Sequence, residues 1–181
     1  MRILDVTTCS VADGSGFRLV IWCSGCSHQC VGCHNPESWD WDNGHKLTDE
    51  MLDTILDQLE LPYIHGVTFS GGDPLYDKNI EQVYRLCKII KENHPDKTVW
   101  LYTGYKFEEI FKTPGYYGTQ NVDPARECRH EILKYIDVLV DGEFVHDRKN
   151  TSIAFRGSDN QRIIDVSKSL KQCKAVLYEQ E

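Results

Sequence analysis

Apolar residues along the chain follow two alternating rhythms. Short β-prone runs occupy residues 2–9 (RILDVTTC) and 17–23 (FRLVIWC). The intervening SVADGSG carries Gly14 and Gly16 as turn residues, so these two runs predict a hairpin. Runs of the same kind recur at 66–74 (GVTFSGGDP), 98–104 (TVWLYTG) and 137–142 (DVLVDG). Between them the spacing changes to that of helices. Met51, Leu52, Ile55, Leu56 and Leu59 repeat at i, i+3 and i+4 behind Thr48, a candidate N-cap, and Pro62 marks the stop. Ile80, Val83, Leu86, Cys87 and Ile90 give one apolar face to a helix over about 78–92. Shorter helices are predicted near Phe107–Phe111 and over 128–135. Residues 34–45 (HNPESWDWDNGH) should stay irregular, and TPGYYGTQNVDP at 113–124 reads as a surface loop. Beyond Glu143 the periodicity is weak, with IIDV and KAVLY as candidates for final strands.

Strand, helix, strand, helix, strand is the grammar of an α/β fold with a mainly parallel sheet. No repeat, low-complexity segment or linker divides it, so residues 1–181 are expected to form a single domain. Ser70-Gly71-Gly72-Asp73, Thr103-Gly104 and Asp141-Gly142 all fall at the C-terminal ends of predicted strands. In parallel α/β proteins that edge is where ligands bind.

With 40% apolar and 27% charged residues the composition is that of an ordinary globular protein. A net charge of −8 argues against binding nucleic acid or anionic membranes through bulk electrostatics. No run approaches the roughly 18 apolar residues that span a bilayer, and MRILDVTTCSVADG does not read as a signal peptide. The expected compartment is the cytoplasm, where clustered cysteines point to metal or catalysis rather than disulfides.

Four of the eight cysteines lie in residues 23–33, CSGCSHQCVGC. Three readings compete there. The thiols are incidental; or Cys23-x2-Cys26 and Cys30-x2-Cys33 form a zinc site, although only three residues separate the pairs where ribbons use roughly 15–20; or Cys26, Cys30 and Cys33 hold an iron–sulfur cluster. Protein clusters normally take four cysteines, so a set of three leaves one iron open to a ligand that is not protein.

C-x3-C-x2-C followed by His34-Asn35 resembles the radical S-adenosylmethionine (SAM) enzymes. DGSGFRLVIWCSGC is similar to the entry segment of the activases that install glycyl radicals, and SGGDP at 70–74 to the glycine-rich turn that receives the SAM amino group. VDGEF at 140–144 and FRGSDNQRIIDV at 155–166 resemble the family of anaerobic ribonucleotide reductase activators. The resemblance runs from about Asp5 to Val166.

It implies a partial, laterally open (β/α) barrel of the radical SAM type, the lateral opening being expected also from the short C-terminal remainder. It implies a [4Fe–4S] cluster on Cys26, Cys30 and Cys33 whose open iron is chelated by SAM. The reduced cluster then breaks the S–C5′ bond, and the 5′-deoxyadenosyl radical takes a hydrogen atom from a glycine of anaerobic ribonucleoside-triphosphate reductase, the protein partner. A one-electron donor such as flavodoxin is implied, and neither nucleic acid nor membrane. No side chain acts as acid, base or nucleophile. Assigned to SAM are Gly32, His34 and Asn35 around the last cysteine, Gly71, Gly72 and Asp73 in the turn, and Thr103 and Asp141 at later strand ends. Many relatives have an aromatic residue at the place of Gly32, where backbone groups can still read adenine. Other activases have a lysine where Glu143 stands, so a lysine contact does not carry over. Cys23 is read as a bystander, His28 as a loop residue, and Arg18 with Asp13 as either a turn ion pair or part of the entry motif, with no chemical role assigned. The polar segment from Arg156 to Arg162 is either a solvated loop or a surface that docks the partner or closes the site.

Overall fold

The computed structural model describes residues 1–112 and 123–179, so most of the 113–124 loop expectation lies outside the described residues. Seven strands form one sheet: β1 (Arg2–Ser10), β2 (Phe17–Cys23), β3 (His45–Lys46), β4 (Ile64–Gly71), β5 (Thr98–Tyr102), β6 (Val138–Asp141) and β7 (Arg162–Asp165), in the order β3-β1-β2-β4-β5-β6-β7. The helices are α1 (Asp49–Leu59), α2 (Ile80–Asn93), α3 (Phe107–Phe111), α4 (Pro124–Ile132) and α5 (Val166–Gln172). Among the described residues no helix is long and apolar enough to cross a membrane.

The sheet is mixed rather than mainly parallel. Strands β2, β4, β5 and β6 are parallel, whereas β1 pairs antiparallel with β2 and β3, and β7 antiparallel with β6. Connections explain the difference. A parallel neighbour needs a long crossover, usually helical; the SVADGSG turn is too short for one, and the chain returns from β6 to β7 with only a 3-10 turn at His146–Arg148. The sheet is open, since its outer strands β3 and β7 do not pair with each other.

The central strands are buried on both faces, which is why they read as continuous apolar runs. Leu19, Ile21, Val67, Phe69, Val99 and Leu101 pack against the helices in the main core. The alternate positions Trp100, Val138, Val140 and Ile163 form a smaller cluster on the opposite face with Tyr102, Phe155 and Tyr178. Arg18 belongs to that second face. It is completely buried and lies over the Trp100 ring. Its guanidinium donates to Thr68 Oγ1, Thr98 Oγ1 and the carbonyls of Ser15, Val67 and Thr98. The expected pair with Asp13 is absent: the Asp13 carboxylate accepts from the Ser10 hydroxyl instead.

Helix α5 was not anticipated. The IIDV run ends as a strand because Asp165 turns into an N-cap, accepting from Lys168 N. KAVLY follows only in part as a strand, through a single bridge from Leu177 to Ile164. The irregular 34–45 stretch contains two 3-10 turns, Pro36–Trp39 and Trp41–Asn43.

Candidate metal centre

The cysteine loop leaves the end of β2 and is anchored by its backbone on both sides. Ser24 N donates to Arg2 O, Gly25 N to Ser38 O, and Cys26 N to Trp39 O at 3.0, 2.8 and 3.1 Å. Asn79 Nδ2 binds Ser24 O at 2.8 Å. The glycine turn after β4 docks on the same loop: Gly72 N donates to Cys23 O and Asp73 N to Gly25 O, each at 2.8 Å. Side chains have no room there. A Cβ on Gly71, whose φ is +95°, would stand 2.6 Å from Cys23 O, and one on Gly72 2.5 Å from Gly25 O.

These contacts put the two motifs on opposite walls of one cleft at the C-terminal edge of the parallel strands. Cys26, Cys30 and Cys33 line it with His34; Gly71, Gly72, Asp73 and Thr103 line it opposite. The cleft has a volume of about 110 Å³ and opens to solvent at its mouth. Burial, with the Asp73 charge second, pushes the Cys26 thiol up to about 11, and burial also raises Cys30. Bound iron would supply the positive charge that keeps such thiols deprotonated. Among the described residues no three His, Cys, Asp or Glu converge as a single ion demands. A cluster takes each thiolate on a different iron, and three cysteines lining one cleft are the donor chemistry it requires. Cys23 is fully buried in the main core instead of the cleft, as is Cys87.

Residues 12–164 match the family described as a 4Fe-4S single cluster domain. The chain is similar to proteins named anaerobic ribonucleoside-triphosphate reductase-activating protein. The one from Enterobacteria phage T4 is 38% identical over 157 residues, covering 86% of this chain and 88% of the relative. That from Vibrio cholerae is 38% identical over 155 residues, 84% and 90% of the two chains. That from Escherichia coli K12 is 35% identical, covering 83% and 90%. The chain belongs to this family of reductase-activating proteins.

The segment that resembles the activating proteins is largely bonded back onto the chain, with Ser158 buried and Gly157 and Asp159 exposed. Gln161 Oε1 accepts from Gly157 N and Ser158 N at 3.0 and 3.1 Å while its Nε2 donates to Gly142 O at 3.0 Å. Asn160 Nδ2 donates to Glu143 O at 2.9 Å. Arg162 forks onto both Asp141 and Glu108. The segment thus braces the end of β6, and Gln161 itself lines the cleft with Gly142 and Glu143.

Of the two acidic residues expected at a ligand, Asp73 lines the cleft of this activating-protein fold and Asp141 does not. Asp141 has no exposure and does not line the cleft; its carboxylate takes the Arg162 guanidinium and the amide of Phe107 at the start of α3. Asp73 lines the cleft at 1% exposure, but its carboxylate accepts from Leu75 N, Gly104 N and the Thr103 hydroxyl. Both carboxylates anchor walls. Gly32 and Asn35 also fall outside the lining residues: the His146 ring covers Gly32, and Asn35 N donates to Cys33 Sγ at 3.4 Å.

His28 escaped the sequence reading. It lines the cleft between two acidic groups, Nε2 at 2.9 Å from Asp73 Oδ2 and Nδ1 at 2.9 Å from Glu143 Oε1. Asp73, ahead of Glu143 and against the cost of burial, raises its imidazole to about 9. No local signal marks it, because its Glu143 partner lies 115 residues away.

Proposed function

We propose that the chain is a radical SAM activating enzyme for anaerobic ribonucleoside-triphosphate reductase, and that its open sheet is a partial barrel of that type. One observation carries the reading: three thiols from one loop face a glycine turn across a single cleft, while the fourth nearby thiol, Cys23, is turned into the core. In this reading Cys26, Cys30 and Cys33 hold a [4Fe–4S] cluster and leave one coordination position for SAM. The chemistry supplied by that pair when bound is one-electron cleavage to methionine and a 5′-deoxyadenosyl radical, which takes a hydrogen atom from a glycine Cα of the reductase and leaves the glycyl radical there.

The chain's own residues bind, aim and shield. Gly71 and Gly72 offer backbone oxygens to the SAM ammonium where no side chain fits. Thr103 sits beside them, its hydroxyl spent on Asp73, and so orders that wall. Asp73 and Asp141 act as positioning residues in place of direct contacts. Around the last cysteine, His34 faces the ligand, and Gly32 and Asn35 shape the loop. No side chain has to move a proton. An external one-electron donor, such as a flavodoxin, completes the cycle.

Anaerobic reconstitution tests this. The expected protein holds about four iron atoms per chain and, with reductant, converts SAM into methionine and 5′-deoxyadenosine by chromatography. A colourless protein with stoichiometric zinc, or iron-loaded protein that leaves SAM intact, overturns the reading.

A further inference from the structure

The function above leaves the His28 imidazole without a role, although it stands between the two walls of the cleft. It lies within the loop, between Cys26 and Cys30. Its side chain is only 12% exposed, and its two nitrogens reach carboxylates on opposite sides. On the Glu143 side the contact is a 2.9 Å hydrogen bond. On the Asp73 side Nε2 lies 2.9 Å from Oδ2 without an aligned hydrogen bond. The Tyr105 ring meets the imidazole edge-on at 4.7 Å. A Cβ on Gly104 would stand 2.4 Å from the ring, so the turn after β5 carries a residue that lets it in.

One rigid ring therefore ties the cysteine loop to the chain beyond three parallel strands: β4 through Asp73, β5 through Gly104 and Tyr105, and β6 through Glu143. Asp73 is itself fixed by three protein donors, so the ring leans on an immobile partner. The backbone anchors of the loop, by contrast, gather at its start, residues 24–26. Beyond residue 26 the loop is held by side-chain contacts, His28 at Asp73 and Glu143 and the His146 ring over Gly32, so loss of His28 would loosen its far half.

We propose that His28 is a positioning residue that fixes the tilt of the cysteine loop against the glycine turn and so aims the open coordination position into the cleft. The proposal rests on the radical SAM reading and adds to it the device that sets alignment. Groups that orient metal ligands from behind typically matter by about 10- to 100-fold, and a loose supporting shell leaves a site present but misaimed.

The test compares reconstituted wild type with His28→Ala, His28→Gln and Glu143→Ala by iron content, SAM affinity, and the paramagnetic resonance of the reduced cluster with and without SAM. His28→Ala is expected to keep wild-type iron, to bind SAM about 10- to 100-fold more weakly, and to lose the SAM-induced change in g-values. His28→Gln, which can restore one of the two bridges, is expected between the two, and Glu143→Ala shifts in the same direction. Wild-type affinity and g-values in His28→Ala overturn the proposal. If His28→Ala fails to hold iron, Glu143→Ala decides: weakened SAM binding supports the clamp and wild-type behaviour overturns it. Wild-type protein that holds iron but does not respond to SAM overturns the proposed function and this proposal with it; a response shared by all variants overturns the clamp alone.

Discussion

Arg162 Nε lies 2.9 Å from Oδ1 of Asp141, and the Asp141 carboxylate has no exposure to solvent. The same guanidinium grips Glu108 on α3 at 3.0 and 2.7 Å, and Asp141 also holds the Phe107 amide. One fork thereby joins β7, β6 and α3 behind the cleft.

Removing the cation would leave a buried carboxylate uncompensated. Arg162→Ala should cost about 3–5 kcal/mol of stability, the range for breaking one side of a buried pair. Arg162→Lys should recover only part of it, because a point charge cannot make the fork. Denaturant unfolding of the three proteins checks the order.

Arg18 makes the opposite kind of prediction, since the hydrogen bonds of its buried guanidinium go to neutral oxygens. Burial lowers it to about 10. Arg18→Met removes the desolvated charge but leaves several buried acceptors without donors, at about 1–3 kcal/mol for each such group. A net loss of at least about 2 kcal/mol is expected on that basis, with the Trp100 environment disturbed. Equilibrium unfolding together with tryptophan fluorescence checks both effects.

How much of this was legible depended on range. Helix α1 was readable because Thr48 and the apolar spacing are local, and the Thr48 hydroxyl does accept from Met51 N at 3.3 Å. Helix α3 and the first hairpin were readable for the same reason, as was the glycine turn. The cysteine set was legible as a spacing. Partners brought in by the sheet were not: the Thr68 and Thr98 hydroxyls that accept from Arg18 lie 50 and 80 residues away, and the grip of Arg162 on Glu108 spans 54. The polarity of 156–162 therefore left a solvated loop and a docking or closing surface both open, whereas much of it is spent on internal bonds, with Ser158 fully buried. The antiparallel return of β7 was hidden because its sequence resembles that of any short strand.

Among the thiols, function and burial should separate cleanly. Ala at position 26, 30 or 33 is expected to abolish the cluster, whereas Cys23→Ala keeps wild-type iron at a cost of about 1 kcal/mol for a small buried group. Iron assay and denaturation on the four variants test the division.

The core thiols also set an alkaline limit. Burial raises Cys23 and Cys87 far above the ordinary thiol range. Both remain protonated in the folded chain while the unfolded chain ionises near about 8.5. The unfolded state then binds fewer protons, so stability falls as pH rises above that value, by up to about 1.4 kcal/mol per pH unit per thiol. Below it the two states bind the same thiol protons and the effect vanishes. Unfolding of wild type and Cys23→Ala between pH 7 and about 10 should show a shallower decline in the variant.

The most direct test of the central claim is paramagnetic resonance of the partner reductase. The reduced, iron-loaded chain is mixed anaerobically with SAM and the anaerobic ribonucleoside-triphosphate reductase, and the spectrum is recorded after freezing. A glycyl radical doublet that needs SAM and is lost in Cys30→Ala is the predicted result. A fully iron-loaded chain that cleaves SAM yet gives no doublet, or a doublet that forms without SAM, contradicts the account.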